Sequence, residues 1–309
     1  MRRVVLCLAH SIEERDQVEL LHGLGYEVGS IGGYVDPAHP HDPKRPGLDV
    51  PRYAEFADAV EAQQSPEGLD GHQGCAQTHV PDRVLEWLGD NGILIWHHLL
   101  DTRLFPQWER LSDWRKGGSG RRIVWRTVGQ SVEYNERLAA PYRADGLEVV
   151  RYSPRERSIP GYCGEDALIR FWKDPHEWCD WTGDSYVVAN VTQDMPRRWE
   201  WCNLDFYLKA TDGLPATPVG PGSEELPGGI GQVPYDEMRR RLRDARCYVY
   251  TGTQPASYTL GLVEALMTGV PVVSIGPAHM TIFPYGPELF EGHLLSAQWS
   301  NDPEEVRRY

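Results

Sequence analysis

Four small or polar residues, Ser257, Gly261, Glu264 and Thr268, recur at helical spacing in the stretch PASYTLGLVEALMTGVPVVSIG (Pro255–Gly276). A loop rich in Gly, Pro, Thr and Ser (Thr251–Ser257) comes before them. A helix that opens from about Ser257 presents unpaired N–H groups and the positive end of its dipole, a combination that holds anions. A carboxylate in the second turn needs a hydrogen-bonding partner, and Gly261, one turn earlier, leaves room for a group to lie against the helix. A phosphate at Ser257, Tyr258, Thr259, Leu260 and Gly261, with a ribose on Glu264, accounts for all three features. The competing reading is a buried helix whose Glu264 pairs with a nearby Arg. Leu260, Val263 and Met267 form the apolar stripe expected to face the core.

Other residues could do chemistry beside it. His97 and His98 follow the apolar run Gly92–Trp96, where the C-terminal end of a strand would deliver a base or a hydroxyl-binding group. Alternation sends the two rings to opposite faces. Arg126, Thr127, Gly129, Gln130 and Ser131 gather polar groups at a second strand end beside a helix start. They read as an acceptor or phosphate cradle, or as a helix cap by Ser131. His97, His98 and Gln130 are the candidate catalytic side chains, and Arg126, Thr127 and Ser131 the candidate acceptor-side ones. Arg103–Arg126 carries seven Arg or Lys against two acids, interleaved with Trp108, Trp114 and Trp125. An anionic acceptor contacting Arg115, Lys116, Arg121 and Arg122 is one reading of this basic island, and a solvated face is the other. His72, Cys75 and His79 have a loose ligand spacing with no fourth partner, so no metal site is expected. Asp-x-Asp, Gly-x-Ser-x-Gly and P-loop motifs are absent.

The elements that must position these groups alternate in type. Val4–Ala9, a helix over Ile12–Leu24 and Tyr26–Ile31 make a βαβ opening whose turn, Ala9–Ile12, lacks the dinucleotide glycines. Gly32–Val50 and Ser65–Thr78 read as loops around a helix at Pro51–Gln63. Helices at Pro81–Leu88, Arg103–Trp114 and Val132–Ala144 alternate with strands at Gly92–Trp96, Arg121–Val128 and Leu147–Tyr152. Ser153–Asp184, rich in Pro, Trp and charge, breaks the rhythm and reads as the edge of the first domain plus a linker. Alternation resumes with Tyr186–Val191, Arg198–Ala210, Leu214–Val219 and Asp236–Ala245, then the strands Cys247–Tyr250 and Val270–Ile275 on either side of the opening helix. Two α/β domains are predicted, at 1–184 and 185–309. The last helix opens at Asp302-Pro303-Glu304 and stops at Tyr309, which reads either as a compact protein or as a truncated helix.

Bulk properties narrow the class. The 309 residues are 40% hydrophobic and 25% charged, the composition of a globular protein. No apolar run has the length of a membrane span, and Arg2-Arg3 with Val4–Ala9 is too short for a secretion signal. A net charge of −14 argues against coating nucleic acid. Six scattered cysteines read as free thiols in a reducing cytoplasm.

The stretch Pro255–Gly276, with VPYDEMRRRLRDARCYVYTGT (Val233–Thr253) before it, resembles the donor-binding end of retaining GT-B glycosyltransferases. The resemblance implies two Rossmann-like domains facing a central cleft and a nucleotide-diphosphate sugar as donor substrate, with no further cofactor. Glu264, within Leu262-Val263-Glu264-Ala265-Leu266, matches the family's ribose-binding Glu, and the preceding backbone amides match its diphosphate site. Ala256 stands where the family has an acid that contacts the sugar. Arg197 and Arg198, with Gln193, occupy the region whose cation neutralises the diphosphate, and Gly220–Gly231 the region near the base, where turn chemistry also explains the glycines. The implied activity is metal-independent, retaining transfer of a sugar, of hexosyltransferase type, to an unidentified acceptor. The alternatives are a GT-B-like binding protein without turnover and a nucleotide-sugar epimerase on the same scaffold.

Overall fold

The computed structural model describes residues 2–7, 11–30, 80–97, 100, 104–129 and 131–309. The loops and helix expected within 31–79, His72, Cys75 and His79 among them, lie outside the described residues, as do His98, Arg103 and Gln130. Two compact units make up the chain: 1–128, 133–152 and 161–172 form the first, and 129–132, 153–160 and 173–309 the second. The main change of unit falls at 172/173 rather than at 184/185.

The first unit is built on an all-parallel sheet in the order β2-β1-β3-β4-β5-β6. Its strands are β1 (Arg3–Cys7), β2 (Glu27–Ser30), β3 (Ile93–Trp96), β4 (Arg122–Arg126), β5 (Glu148–Arg151) and β6 (Ala167–Leu168). Alternation along β1 sorts the core. Val4 and Leu6 pack with Val18 of α1 (Ser11–Gly23) on one face. Val5 and Cys7 pack on the other with α2 (Asp82–Leu88), α3 (Trp108–Lys116) and α4 (Glu133–Ala144). Burial on both faces explains why the strands read as continuous apolar runs. Strand β6, at the sheet edge, lies inside the stretch expected to hold the domain edge and linker; with two residues it is too short to show a period.

The second unit repeats the arrangement. β7 (Val188–Val191), β8 (Ala216–Val219), β9 (Cys247–Tyr250), β10 (Val272–Ile275) and β11 (Gln298–Ser300) form a parallel sheet in the order β8-β7-β9-β10-β11. In both sheets the second strand lies outside the first and the third lies inside it, so each has a topological switch point beside its first strand. The crossovers are α5 (Leu204–Ala210), α6 (Tyr235–Asp244) and α7 (Leu260–Thr268). The expected helix over Arg198–Ala210 is shorter, because 193–203 form turns. α8 (Gly286–Leu289), α9 (Gly292–Leu295) and α10 (Pro303–Arg308) follow; Asp302 caps α10 by accepting from the Glu304 amide at 2.9 Å. Among the described residues no helix is long and apolar enough to cross a membrane.

Candidate functional site

The β9–α7 junction of the second unit carries the stretch the sequence singled out, with three corrections. α7 begins at Leu260, not Ser257, and its buried residues are Leu262, Glu264, Ala265 and Thr268. The expected apolar stripe is not the buried one: Met267 is 39% exposed. Gly269, at φ 91°, closes the helix in the left-handed conformation expected of it. The space beside Gly261 is also occupied. A Cβ there would stand 3.3 Å from both Tyr248 Oη and Val191 O, so the glycine lets the helix press on the switch point of the sheet. Tyr248 Oη in turn donates to Val191 O at 3.2 Å, and burial pushes its pKa far up.

The polar face of α7 is partly engaged by the protein itself. Lys173 Nζ donates to Glu264 Oε1 at 2.5 Å, with both residues 3% exposed. The ammonium also lies 5.5 Å from the centre of the Trp178 ring. Thr268 Oγ1 donates back to Glu264 O at 2.8 Å. The partner foreseen as an Arg is a Lys, 91 residues away in sequence. Glu264 Oε2 makes no hydrogen bond among the described residues.

At the start of α7, Thr259 occupies the N-cap position with extended backbone and no side-chain capping bond. The first-turn N–H groups therefore lack the partner a capping hydroxyl would supply. Ser257 and Tyr258 are buried just ahead of them. Ser257 has another task. Ser153 Oγ donates to Glu291 Oε2 at 2.6 Å, so the Ser257 hydroxyl is the donor in its 2.8 Å contact with Ser153. The carbonyl of Ser257 accepts from Glu291 N and Gly292 N at 2.9 and 3.1 Å. This knot fixes 153–160 to the second unit beside the contact of Ile159 with Tyr285 and Leu289.

The strand-end loops around α7 are tied by a residue the sequence did not flag. Gln254, 4% exposed, donates from Nε2 to Glu200 O and His279 O, each at 3.3 Å, and accepts at Oε1 from Ile282 N at 3.0 Å. It thereby joins the loops that follow β7, β9 and β10. Arg197 and Arg198 lie on the first of these. Arg197 is solvent-facing, with a loose ion pair to Asp194 at 3.7 Å. Arg198 donates to Gln193 O at 3.4 Å. Gly220 packs on the same loop, where a Cβ would come within 2.5 Å of Thr192 O.

In the first unit, the switch-point edge gathers side chains instead. His97, 2% exposed, meets Gln17 Nε2 through its own Nε2 at 3.0 Å. Gln17 Nε2 also donates to Glu13 Oε1 at 2.8 Å, and Arg126 Nε lies 3.6 Å from that oxygen. With the amide nitrogen donating to both, His97 Nε2 is the acceptor of this contact. Glu13 and Gln17 were missed because α1 reads as an ordinary amphipathic helix; a buried face with Glu13, Asp16 and Gln17 in its first turns is the available signal. Arg126 further holds the carbonyls of Ile169 and Arg170 at 2.8 and 3.2 Å. Thr127 accepts from Tyr152 N at 3.3 Å. Ser131 is buried in the segment that groups with the second unit. The candidate residues thus divide: His97 and Arg126 come together, while Thr127 serves as a tie between strand ends.

The basic island does not stand as a bare cationic surface. Lys116 pairs with Asp145 at 2.9 Å, Arg121 with Asp90 at 3.0 Å and Arg122 with Glu148 at 3.2 Å. Arg115 donates to Asp145 O at 2.8 Å. Hydrogen bonds from Lys116, Trp108 and Ser112 hold the Asp145 carboxyl well below the usual range. The acids come from outside the counted stretch.

Comparison with known proteins bears on the fold. No protein-family model matches the sequence, and no curated protein matches it. Solved structures do. Anabaena HepE in complex with UDP-glucose superposes with a TM-score of 0.54 at 13% identity, over 89% of this chain and 80% of that one. Its complex with UDP and glucose gives 0.54 and 13%, over 89% and 81%. The fold is that of the GT-B glycosyltransferases, two Rossmann-like α/β units.

Proposed function

We propose that the chain transfers a sugar from a nucleoside-diphosphate sugar to an acceptor, with retention of configuration and without a metal ion. The observation that carries this is the α7 start: an uncapped helix N-terminus followed, in the second turn, by a buried carboxylate with one oxygen unengaged. In this reading Glu264 Oε2 accepts from a ribose hydroxyl. The amides of Leu260, Gly261 and Leu262 face the diphosphate and stabilise the charge that grows on it as the sugar departs. Arg197 adds a solvent-facing cation to the same strand edge. Anabaena HepE was solved with UDP-glucose, which makes UDP-glucose the first donor to try. The His97–Gln17–Glu13 set is the acceptor-side candidate, with His98 and Gln130 as further candidates. Free thiols at Cys163, Cys179, Cys202 and Cys247 fit a reducing cytoplasm.

A second reading, a nucleotide-sugar binding protein without turnover, is favoured by Ala256, where the resembling enzymes carry an acid. One experiment addresses both. The protein is incubated with UDP-glucose and a panel of other nucleotide sugars, while donor hydrolysis, transfer and thermal stabilisation are followed. Turnover supports transfer, and stabilisation without turnover supports the binding protein. An absence of both, for every donor tried, would sink the donor-site assignment.

A further inference from the structure

The ion pair that holds Glu264 asks for an explanation of its own. Replacing a buried pair by apolar residues of similar volume is often neutral or stabilising, so burial of Lys173 with Glu264 is weak evidence for stability. The pair is also incomplete. Of the two carboxylate oxygens Lys173 holds Oε1, and Oε2 has no hydrogen bond among the described residues.

Lys173 is held where it is by its surroundings. Its ammonium lies over Trp178, whose ring packs edge-on to Tyr235 at 5.6 Å. The chain just beyond is fastened to the ends of α6 and α7. Trp181 N donates to Thr268 O at 3.2 Å, Trp181 Nε1 to Ala245 O at 2.8 Å and Ser185 N to Asp244 O at 2.8 Å. A cation fixed from one side leaves a carboxylate few rotamers and sets the direction of its second oxygen.

We infer that Lys173 is a positioning residue: by fixing Oε1 of Glu264 it aims Oε2 at the ribose hydroxyls of a nucleoside diphosphate. This rests on the donor-site reading above. Its effect is specific to those hydroxyls. Without the cation the carboxylate is no longer held in that orientation, and the hydroxyl contact is lost. Recognition of phosphate by backbone amides needs no help from Lys173.

The test compares UDP with 2′,3′-dideoxy-UDP, which lacks both hydroxyls, and with inorganic pyrophosphate, by calorimetric titration of the full chain. The wild type should prefer UDP over the dideoxy analogue by about tenfold or more, as expected for hydrogen bonds to a charged acceptor. In Lys173→Met that ratio should fall towards one while pyrophosphate affinity is kept. Lys173→Gln, which keeps a donor of similar reach, carries the same comparison if the Met variant does not fold. If the wild type discriminates and a folded Lys173 variant discriminates equally, the inference is overturned and the pair is structural. A wild type that ignores the missing hydroxyls overturns the donor-site reading instead.

Discussion

Each unit buries an ion pair, and the two pairs are built differently. In the first unit Arg151 and Glu136, both 0% exposed, meet through two parallel bonds, Nη1 to Oε1 at 2.5 Å and Nη2 to Oε2 at 2.7 Å. Cys163 N donates to the same Oε2 at 2.9 Å, and Gly164 O accepts from Arg151 Nε and Nη2 at 3.1 and 2.9 Å. The guanidinium stacks over Trp125 and Tyr162. Burial and then the Glu136 charge push the Cys163 thiol up to about 11, which leaves it inert. Every oxygen of Glu136 is engaged. In the second unit Glu264 uses one oxygen, and a Lys, a point charge without the guanidinium's fork, is its partner. A saturated pair has nothing left to offer a ligand. A half-used pair at the edge of a strand–helix junction does.

The largest effect should come from breaking the saturated pair. Glu136→Ala leaves a buried guanidinium uncompensated and should cost about 3–5 kcal/mol. Denaturant unfolding would show it, and UDP affinity should be unchanged wherever the variant remains folded. Glu264→Gln should act in the opposite proportion. The amide oxygen still accepts from Lys173, so stability should fall by less, about 2 kcal/mol. UDP binding should weaken by about ten- to a hundredfold. If Glu264→Gln unfolded the protein as far as Glu136→Ala and left UDP affinity intact, the contrast between the pairs would be lost.

That contrast shows what a sequence displays and what it hides. The βα alternation, the end of α7 at Gly269 and the buried polar face with Glu264 follow from local pattern, since each depends on neighbours within two turns. Lys173 could not be paired with Glu264, because no spacing rule links residues 91 apart. The partners of the basic island are hidden for the same reason: Asp90, Asp145 and Glu148 pair with it only once the sheet has formed. Arg126 and Thr127 were legible as polar groups at a strand end, but not as ties to Ile169, Arg170 and Tyr152. The period also displays the apolar stripe Leu260, Val263 and Met267, but not that Met267 stays 39% exposed, which depends on what packs against the helix.

A smaller effect separates surface from buried charge. Arg197 is solvent-facing, and its pair with Asp194 is a loose one. Arg197→Ala should leave the melting temperature unchanged, as exposed pairs contribute about 0–1 kcal/mol. UDP affinity should fall a few-fold at low salt, and the loss should shrink as salt screens the charge. A salt-independent loss would mean that Arg197 acts through structure.

The smallest effect concerns a buried titratable group with no counter-charge of its own. His293 sits on α9 between Phe290 and Trp299, with ring centres at 5.4 and 5.1 Å. Burial, and then the charge of Arg155, hold its pKa below the ordinary 6.5. Between that value and its lower folded pKa, the unfolded chain binds a proton that the folded one refuses. The stabilisation is therefore complete above about pH 6.5 and declines as pH falls through the window. Carboxylates held low by their partners, as Asp145 is, keep their contribution there. Melting temperatures from about pH 7.5 to about pH 5.5 should fall more for the wild type than for His293→Phe, which keeps an aromatic ring without the titration. Equal slopes would show that the Ser153–Ser257–Glu291 knot beside His293 is insensitive to the ring's charge, and that pH acts on this unit through its carboxylate pairs alone.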